Sequence, residues 1–455
     1  MSKKKANHRS GEDRISLLPD HLLCQILSTL PTKNVVTTSI LSTRWRNLWL
    51  WVPLLDLNVD DFTDLTTFLS FATRFLDFYE ESCLHKLKIS FKRDDLDLCP
   101  LISWIKDATM RKIHHFEVDC GLSFYIHVVP LTFYTCETLV SLRLHFVKLV
   151  QSELASLPNL KVMHLEKNIY IDNETVENLI LSCPVLEDLT VIRNIEYDFG
   201  MEVLRVRSQT LNSFNLVLDS TKSWYSSSTR DDYMKVLIDA PRLEYLSLKD
   251  DQSVSFEISN LGSSAEVDID VSFNMTSLLD LNDSLKISST GKLLTGLSSV
   301  RDMTLSRTTS KIICHYLKHE RMPQFSNMKR LNVKLYVSDI EMLPKFLESC
   351  PNLESLILKM RGVTEEKDIS LSSVPKCLQT SLEHVEMVRS NCENVEEMKL
   401  IKYFLENSLV LKKFKICLPC RNKKHESIIV KELVNVRRCS NACHVIVRIR
   451  RRGFF

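Results

Sequence analysis

Glycine is scarce in this sequence, with 8 residues in 455. Loops that cradle phosphates need clustered glycines so that backbone N–H groups can close on the anion. Only Gly291 to Ser298 approaches that spacing, and Leu297 stands where a cation has to be, so a nucleotide loop is excluded. Long apolar runs are missing too: none reaches the ~18 residues of a membrane span. The opening residues, MSKKKANHRSGEDR, lack the apolar stretch of a secretory leader. Lys3-Lys4-Lys5 reads as a solvated basic tail rather than a nuclear signal. Net charge is only +2, which provides no field demanding nucleic acid or an acidic membrane as partner.

Cysteine is not scarce. Fourteen of them without secretory features point to a reducing compartment, nucleus or cytoplasm, with thiols filling small buried positions. The glycosylation patterns at Asn173, Asn274 and Asn282 would then meet no enzyme. There is no Gly-x-Ser-x-Gly, and no cysteine stands out as a nucleophile, so the chain is expected to be non-catalytic and to need no cofactor. Cys417-x-x-Cys420 and Cys439-x-x-x-Cys443 sit eighteen residues apart, roughly like a zinc site. Cys417, however, continues an apolar strand pattern, and Val445-Ile446-Val447 follows the second pair. His315 and His319 have helical spacing but no carboxylate between them, and His114-His115 flank strand residues; both read as packing or a solvated face.

The densest stretch runs from Leu18 to Trp51 and holds three of the five tryptophans. Pro19 suits a first helical position. Leu22, Leu23, Ile26, Leu27 and Leu30 then mark two adjacent apolar stripes on one helix. Pro31 ends it, and Thr32 can cap a second helix carrying Val35 and Val36. Ser42 would cap a third, with Trp45, Leu48 and Trp49 at i, i+3 and i+4. So much apolar surface in so few residues asks for a partner or for a place as a helical lid on the rest of the chain.

Downstream, the pattern apolar-x-x-apolar-x-apolar returns twelve times, from Leu84-Leu87-Ile89 through Leu186-Leu189-Val191 to Leu411-Phe414-Ile416. Starts are mostly 21 to 32 residues apart; one gap of 57, from Leu243 to Val300, contains a degenerate copy, Ser264-Val267-Ile269. This is the period and core of leucine-rich repeats. The last two apolar residues share one face of a strand, and parallel stacking of many strands builds one core. Helical returns are expected, for example over 174–181, with Cys183 and Cys350 as small buried plugs where Pro184 and Pro351 stop the helix. The polar stretches Asp219 to Asp232 and Asp250 to Ser264 read as loops or insertions, with a weak point near 250–295.

The first stretch resembles the plant-type F-box, through Leu18-Pro19, Leu22, Ile26, Leu27, Leu30-Pro31-Thr32-Lys33, Val35, Val36, Thr38-Ser39, Leu41-Ser42 and Arg44-Trp45-Arg46-Asn47-Leu48-Trp49. From Val374, the order Val374-Pro375-Lys376-Cys377-Leu378, Leu382-Glu383-His384-Val385, Lys402 to Asn407 and Leu411-Lys412-Lys413-Phe414 resembles the FBD domain, without its leading tryptophan and its glycine after the first strand. A helix over 395–407 between two strands is expected there, as one more repeat-like unit closing the array.

The expected fold is α/β: a three-helix F-box (14–55), a curved leucine-rich-repeat solenoid with a parallel sheet (56–373) and an FBD segment capping it (374–447), between basic tails 1–13 and 448–455. The tail Arg448 to Arg452 is expected to blunt the edge of a last strand. The resemblance implies the substrate-recognition subunit of a Skp–cullin–F-box ubiquitin ligase. A Skp-type adaptor would be held by Leu18, Pro19, Leu22, Ile26, Leu27, Leu30, Pro31, Val35, Val36, Leu41, Trp45, Leu48 and Trp49. An unidentified target protein would lie on the outward strand positions: Arg143, His145, His164, Glu166, Asp188 and Tyr245, then the mostly basic Arg330, Lys334, Lys359, Lys413 and Lys415. A scaffold that binds the adaptor without delivering a target is the alternative.

Overall fold

The computed structural model describes residues 14–78, 84–90, 99–121, 127–128, 130–150, 154–194, 201–218, 234–274, 284–362, 371, 373–388, 395–419, 432–433 and 435–450. The tail 1–13, the stretch Asp219 to Asp232 and Cys420 lie outside the described residues. The chain forms two compact units, Met1–Lys148 with Leu154–Leu160, and Leu149–Glu153 with Lys161–Phe455.

The first unit opens with helices α1 (Asp20–Leu27) and α2 (Thr32–Thr37), then short 3₁₀ segments at Thr38–Ile40 and Trp45–Trp51. Leu23, Leu27, Val35, Trp45, Leu48 and Val52 close a small core, with Leu18, Cys24, Leu30, Trp49 and Leu54 packed around it. Three details differ from the sequence reading. Pro19 and Pro31 sit one residue before their helices, as N-caps. Thr32 does not cap; it is the first residue of α2, buried, and its hydroxyl accepts the Asp56 N–H at 2.7 Å. The third helix is 3₁₀, follows Arg44 rather than Ser42, and therefore repeats every three residues. Trp45 and Leu48 turn inward together, while Trp49 is half-buried and Trp51 is exposed.

The unit continues with β1 (Leu54–Asn58), α3 (Leu65–Phe78), β2 (Lys86–Ser90), α4 (Cys99–Met110), β3 (His115–Asp119), β4 (His127–Val128), β5 (Ser141–His145) and β6 (Val147–Leu149). β1, β2, β3 and β5 are parallel neighbours. Their inward pairs, Leu55 and Leu57, Leu87 and Ile89, Phe116 and Val118, Leu142 and Leu144, are all buried. α3 covers them with Phe68, Ala72, Phe75 and Leu76, a helical stripe at i, i+4, i+7 and i+8. Trp49 stacks on Phe75 at 5.2 Å and Phe68 meets Trp104 of α4 at 5.9 Å. The helical head thus meets α3 through an aromatic contact, and α3 in turn meets α4.

In the second unit the main sheet runs β7 (Val162–Glu166), β9 (Asp188–Arg193), β11 (Ser213–Leu218), β13 (Tyr245–Asp250), β15 (Glu266–Val271), β16 (Asp302–Leu305), β17 (Arg330–Tyr336), β18 (Ser355–Arg361), β19 (His384–Val388), β20 (Lys413–Pro419) and β21 (His444–Arg450). Its paired neighbours are parallel. Each copy of the six-residue pattern supplies two buried residues to one of these strands and a third, also buried, to the turn before it. The degenerate copy is a full strand: Val267 and Ile269 of β15 are wholly buried.

The returns are of two kinds. After β7 comes the two-residue β8 (Ile169–Tyr170) and then α5 (Glu174–Leu181), on the residues expected. After β9, β11 and β13 they include β10 (Val203–Arg207), β12 (Lys235–Asp239) and β14 (Ser255–Ser259), which form a second parallel sheet. After β15 they include α6 (Ser284–Gly296), α7 (Arg307–His319), α8 (Leu343–Glu348), α9 (Lys376–Thr380) and α10 (Val395–Asn407). The switch follows the periodicity. Leu204 and Val206, Val236 and Ile238, Phe256 and Ile258 are buried alternately, as in strands, whereas α7 buries Ile312, Ile313, Tyr316 and Leu317.

Two expectations are corrected here. Asp250 to Ser264 is not simply a loop, because it contains β14. The expected weak point at 250–295 holds two strands and most of a helix. Gly291 and Gly296 belong to that helix rather than to a loop. A Cβ on Gly296 would sit 2.6 Å from the Ile258 carbonyl oxygen, so glycine there permits close packing of α6 on β14. The turn after β13 is built on Asp250, whose buried carboxylate accepts the Gln252 and Ser253 N–H groups and the Ser253 hydroxyl. Burial raises its pKa despite those bonds.

Candidate functional site

The helical head leaves a large part of its apolar surface in solvent. Ile15, Leu17, Ile26, Ile40, Leu41 and Trp51 are exposed, Ile40 to 80% and Trp51 to 72%. Its own core is complete without them, so these side chains have no partner inside the head. They sit before α1, on its outer face, and at or just after the ends of the 3₁₀ segments.

The thirteen residues proposed to hold an adaptor fall into three groups. Leu27, Val35, Trp45 and Leu48 are core and hold the head together. Leu18, Leu22, Leu30, Val36 and Trp49 are half-buried, each with one side on that core or at its margin. Pro19, Ile26, Pro31 and Leu41 are exposed. Ile15, Leu17, Ile40 and Trp51 are exposed beside them but were not among the thirteen, because they lie before α1 and at the ends of the 3₁₀ segments, outside an α-helical periodicity.

Arg44 fixes the geometry at the start of α1. Its guanidinium donates to the Ser16 and Leu18 carbonyl oxygens and to Asp20 Oδ1, at 2.6 Å from Nη2 and 2.9 Å from Nε. It thereby pins the turn before α1 that presents Leu17 and Pro19. Beside it, α1 and the 3₁₀ turn enclose an open cleft of about 580 Å³ lined by His21, Cys24, Gln25, Leu48, Trp51 and Pro53.

The outward sheet positions form a second surface. In the first unit, Arg143 is exposed and faces Glu117 across the strand pair, and His145 Nδ1 lies 2.7 Å from Asp119 Oδ1. In the second, His164 lies 3.1 Å from Glu166, Asp188 is half-buried and Tyr245 is 39% exposed. The late basic residues do not behave alike. Arg330 makes a two-toothed pair with Asp302, at 2.8 and 2.6 Å, and Lys415 pairs with Glu386 at 2.7 Å. Lys334 and Lys359 face one another across β17 and β18, and among the described residues neither has an acidic partner within 4 Å. Lys413 is exposed and faces His384.

No group of three metal-ligating side chains occurs among the described residues. Cys417 and Cys443 are buried and Cys439 is exposed. Burial pushes the thiols of Cys120, Cys183 and Cys377 up to about 12, and Cys314 and Cys350 are also raised by burial. Such thiols are protonated at neutral pH and are poor nucleophiles. His315 and His319 stack on one another with ring centroids 4.8 Å apart, and the His315 pKa is lowered by burial and by its neighbour. No described helix is long and apolar enough to cross a membrane.

Three family profiles match the chain. The F-box domain covers residues 15–57, the LRR repeats of FBD-associated F-box protein At5g56370 cover 101–269, and FBD covers 370–416. Among curated proteins of Arabidopsis thaliana, the F-box/FBD/LRR-repeat protein At5g22660 is 62% identical over 453 residues, 99% of this chain and 100% of that one. F-box/FBD/LRR-repeat protein At5g22700 is 60% identical over 88% of this chain and 92% of its own length. F-box/LRR-repeat protein 13 is 42% identical over 96% of both. Head, repeats and C-terminal segment thus match in one order along nearly the whole length, and the chain belongs to the F-box/FBD/LRR-repeat family of plant proteins.

Proposed function

We propose that this chain is the substrate-recognition subunit of a Skp–cullin–F-box ubiquitin ligase. The helical head holds a Skp-type adaptor, the adaptor links it to a cullin–RING ligase, and the outward sheet positions hold a target protein. No residue of this chain performs chemistry in that reading. The ligase accelerates transfer by holding target lysines near the charged ubiquitin, an effective-concentration effect. The place of work is the nucleus or the cytoplasm.

The observation that carries the reading is the mismatch in the head: a closed core of six buried side chains beside six exposed large apolar ones. A surface rich in solvent-exposed apolar groups marks an interaction site. The test is capture of the full chain on an immobilised recombinant Skp-type adaptor. Wild type is compared with the double variant Ile26→Ser and Leu41→Ser, neither of which contributes to the core. The variant should keep its melting temperature and lose capture. Unchanged capture would sink the adaptor assignment. Reconstitution with cullin and RING then asks whether any bound protein becomes ubiquitinated; adaptor binding without such transfer would favour the scaffold alternative.

A further inference from the structure

From β15 onward the outward face of the main sheet in the second unit separates its charges by sign. On the other side of the acidic strands one exposed cation, Lys249 of β13, stands opposite Asp270. β15 and β16 present Glu266, Asp268, Asp270 and Asp302, with no cation among their outward positions. The next strands present Arg330 and Lys334, then Lys359 and Arg361, then Lys413 and Lys415, against the single carboxylate Glu386. The change of sign falls between two neighbouring strands, β16 and β17, about 4.8 Å apart.

Local pairing removes only part of this. Arg330 is neutralised by Asp302 and Lys415 by Glu386. Elsewhere in the unit neighbouring turns also pair their charges: Lys161 with Glu187, Lys329 with Glu354, and Lys412 with Glu383, all within 2.8 Å. Lys334 and Lys359 break that habit. They are half-buried, directly opposite each other, and lack an ion-pair partner among the described residues. Like charges placed opposite across strands destabilise the pair. The carboxylates of Glu266, Asp268 and Asp270 are likewise without a cation within 4 Å among the described residues. The two groups share one space, since burial raises the Asp268 pKa while both Lys334 and Lys359 pull it down. A surface arranged only for solubility intersperses its signs; this one segregates them.

We infer that the target held by this face is a protein segment carrying a basic cluster followed directly by an acidic one. The basic cluster lies over β15 and the acidic cluster over β17 and β18, roughly 10–15 Å further along the sheet at the usual strand spacing. The inference rests on the receptor reading above and names the chemistry of its target. A merely acidic partner fits less well, because the carboxylates next to the lysines would repel one that extends over them. Charge complementarity of this kind selects the partner and sets its register.

The test uses the full chain bound to its Skp-type adaptor, at low ionic strength where exposed charges are least screened. Three fluorescent synthetic peptides of equal length serve as probes: a lysine block joined to a glutamate block, the same composition with the two residues alternating, and glutamate alone. Anisotropy should show the block peptide bound about tenfold or more tighter than either of the others. Lys334→Glu with Lys359→Glu should remove that advantage, and so should Asp268→Lys with Asp270→Lys. If a reversal does not fold, as judged by its thermal melt, Lys334→Gln with Lys359→Gln and Asp268→Asn with Asp270→Asn give the same comparison. Equal binding of block and alternating peptides, tighter binding of glutamate alone, or no binding of the block peptide would each overturn the inference. Retention of the adaptor is read in the same samples: a chain that holds the adaptor and ignores the block peptide fails here only, whereas a chain that never holds the adaptor fails at the receptor reading.

Discussion

The helical head and the repeats solve opposite problems with the same residues. In the head, which ends at Val52, six large apolar side chains are exposed beside a core of six. Across the far longer second unit, exposed large apolar residues are scattered singly, from Val162 to Leu409. The repeats can stack, so each unit's apolar face is covered by the next, whereas the head cannot bury its surface alone. What the strands from β15 to β20 leave outward is chiefly polar and charged. Apolar surplus and charged surface are therefore divided between the two regions, in line with the separate adaptor and target roles proposed above.

The comparison can be broken most forcefully from the repeat side. Leu331→Ala removes a side chain that is 1% exposed in β17, and should cost about 3 kcal/mol of unfolding free energy, measured by urea denaturation. Leu41→Ala, at a site 64% exposed, should stay within about 0.5 kcal/mol. Equal losses would erase the distinction between core and surplus. The next effect is one of binding. Ile40→Ser with Leu41→Ser should weaken adaptor binding about tenfold or more, which is about 1.4 kcal/mol, at an unchanged melting temperature. Biolayer interferometry with the recombinant adaptor reads it.

Of similar size is the effect at the joint between head and strands. Thr32→Val keeps the shape of the buried side chain but strips the Asp56 N–H of its acceptor. That should cost about 1–2 kcal/mol and lower the thermal midpoint. The smallest effect at neutral pH concerns thiols. Cys439 is exposed and Cys24 lines an open cleft, whereas burial holds Cys183 and Cys377 at about 12. Iodoacetamide at neutral pH, followed by peptide mass spectrometry, should label the first two well before the second two. Because the folded pKa is the higher one, these buried thiols contribute stability that is fully present below the unfolded value of about 8.5. It is lost as pH rises from there towards 12. Melting temperatures should be flat near neutrality on this account and fall only in alkali.

Much of the fold was legible because repetition amplifies a weak signal. One apolar-x-x-apolar-x-apolar segment could be many things, but twelve at a regular spacing leave one parallel stack. The same holds for α5 and α10, whose bounds agree with their periodicity. β14 was not legible because its alternation, with Phe256 and Ile258 inward, lies within a serine-rich stretch whose polarity dominates the reading. The third helix of the head was misjudged because Trp45 and Leu48, three apart, fit both an α-helical and a 3₁₀ face, and only packing chooses between them.

The sequence by itself determined the order of parts and the residues that point inward, since burial of apolar side chains at fixed periods is a local property of helix and strand. It also determined the family, through contiguous matches in the head. Only the tertiary structure decided which apolar residues are left over and which charges are left unpaired. Arg330 finds Asp302, and Lys334 finds Lys359, because strand register sets side by side residues that are 28 and 25 positions apart in the chain. Whether such a meeting neutralises a charge or repeats it depends on that register, which no local pattern in the sequence encodes.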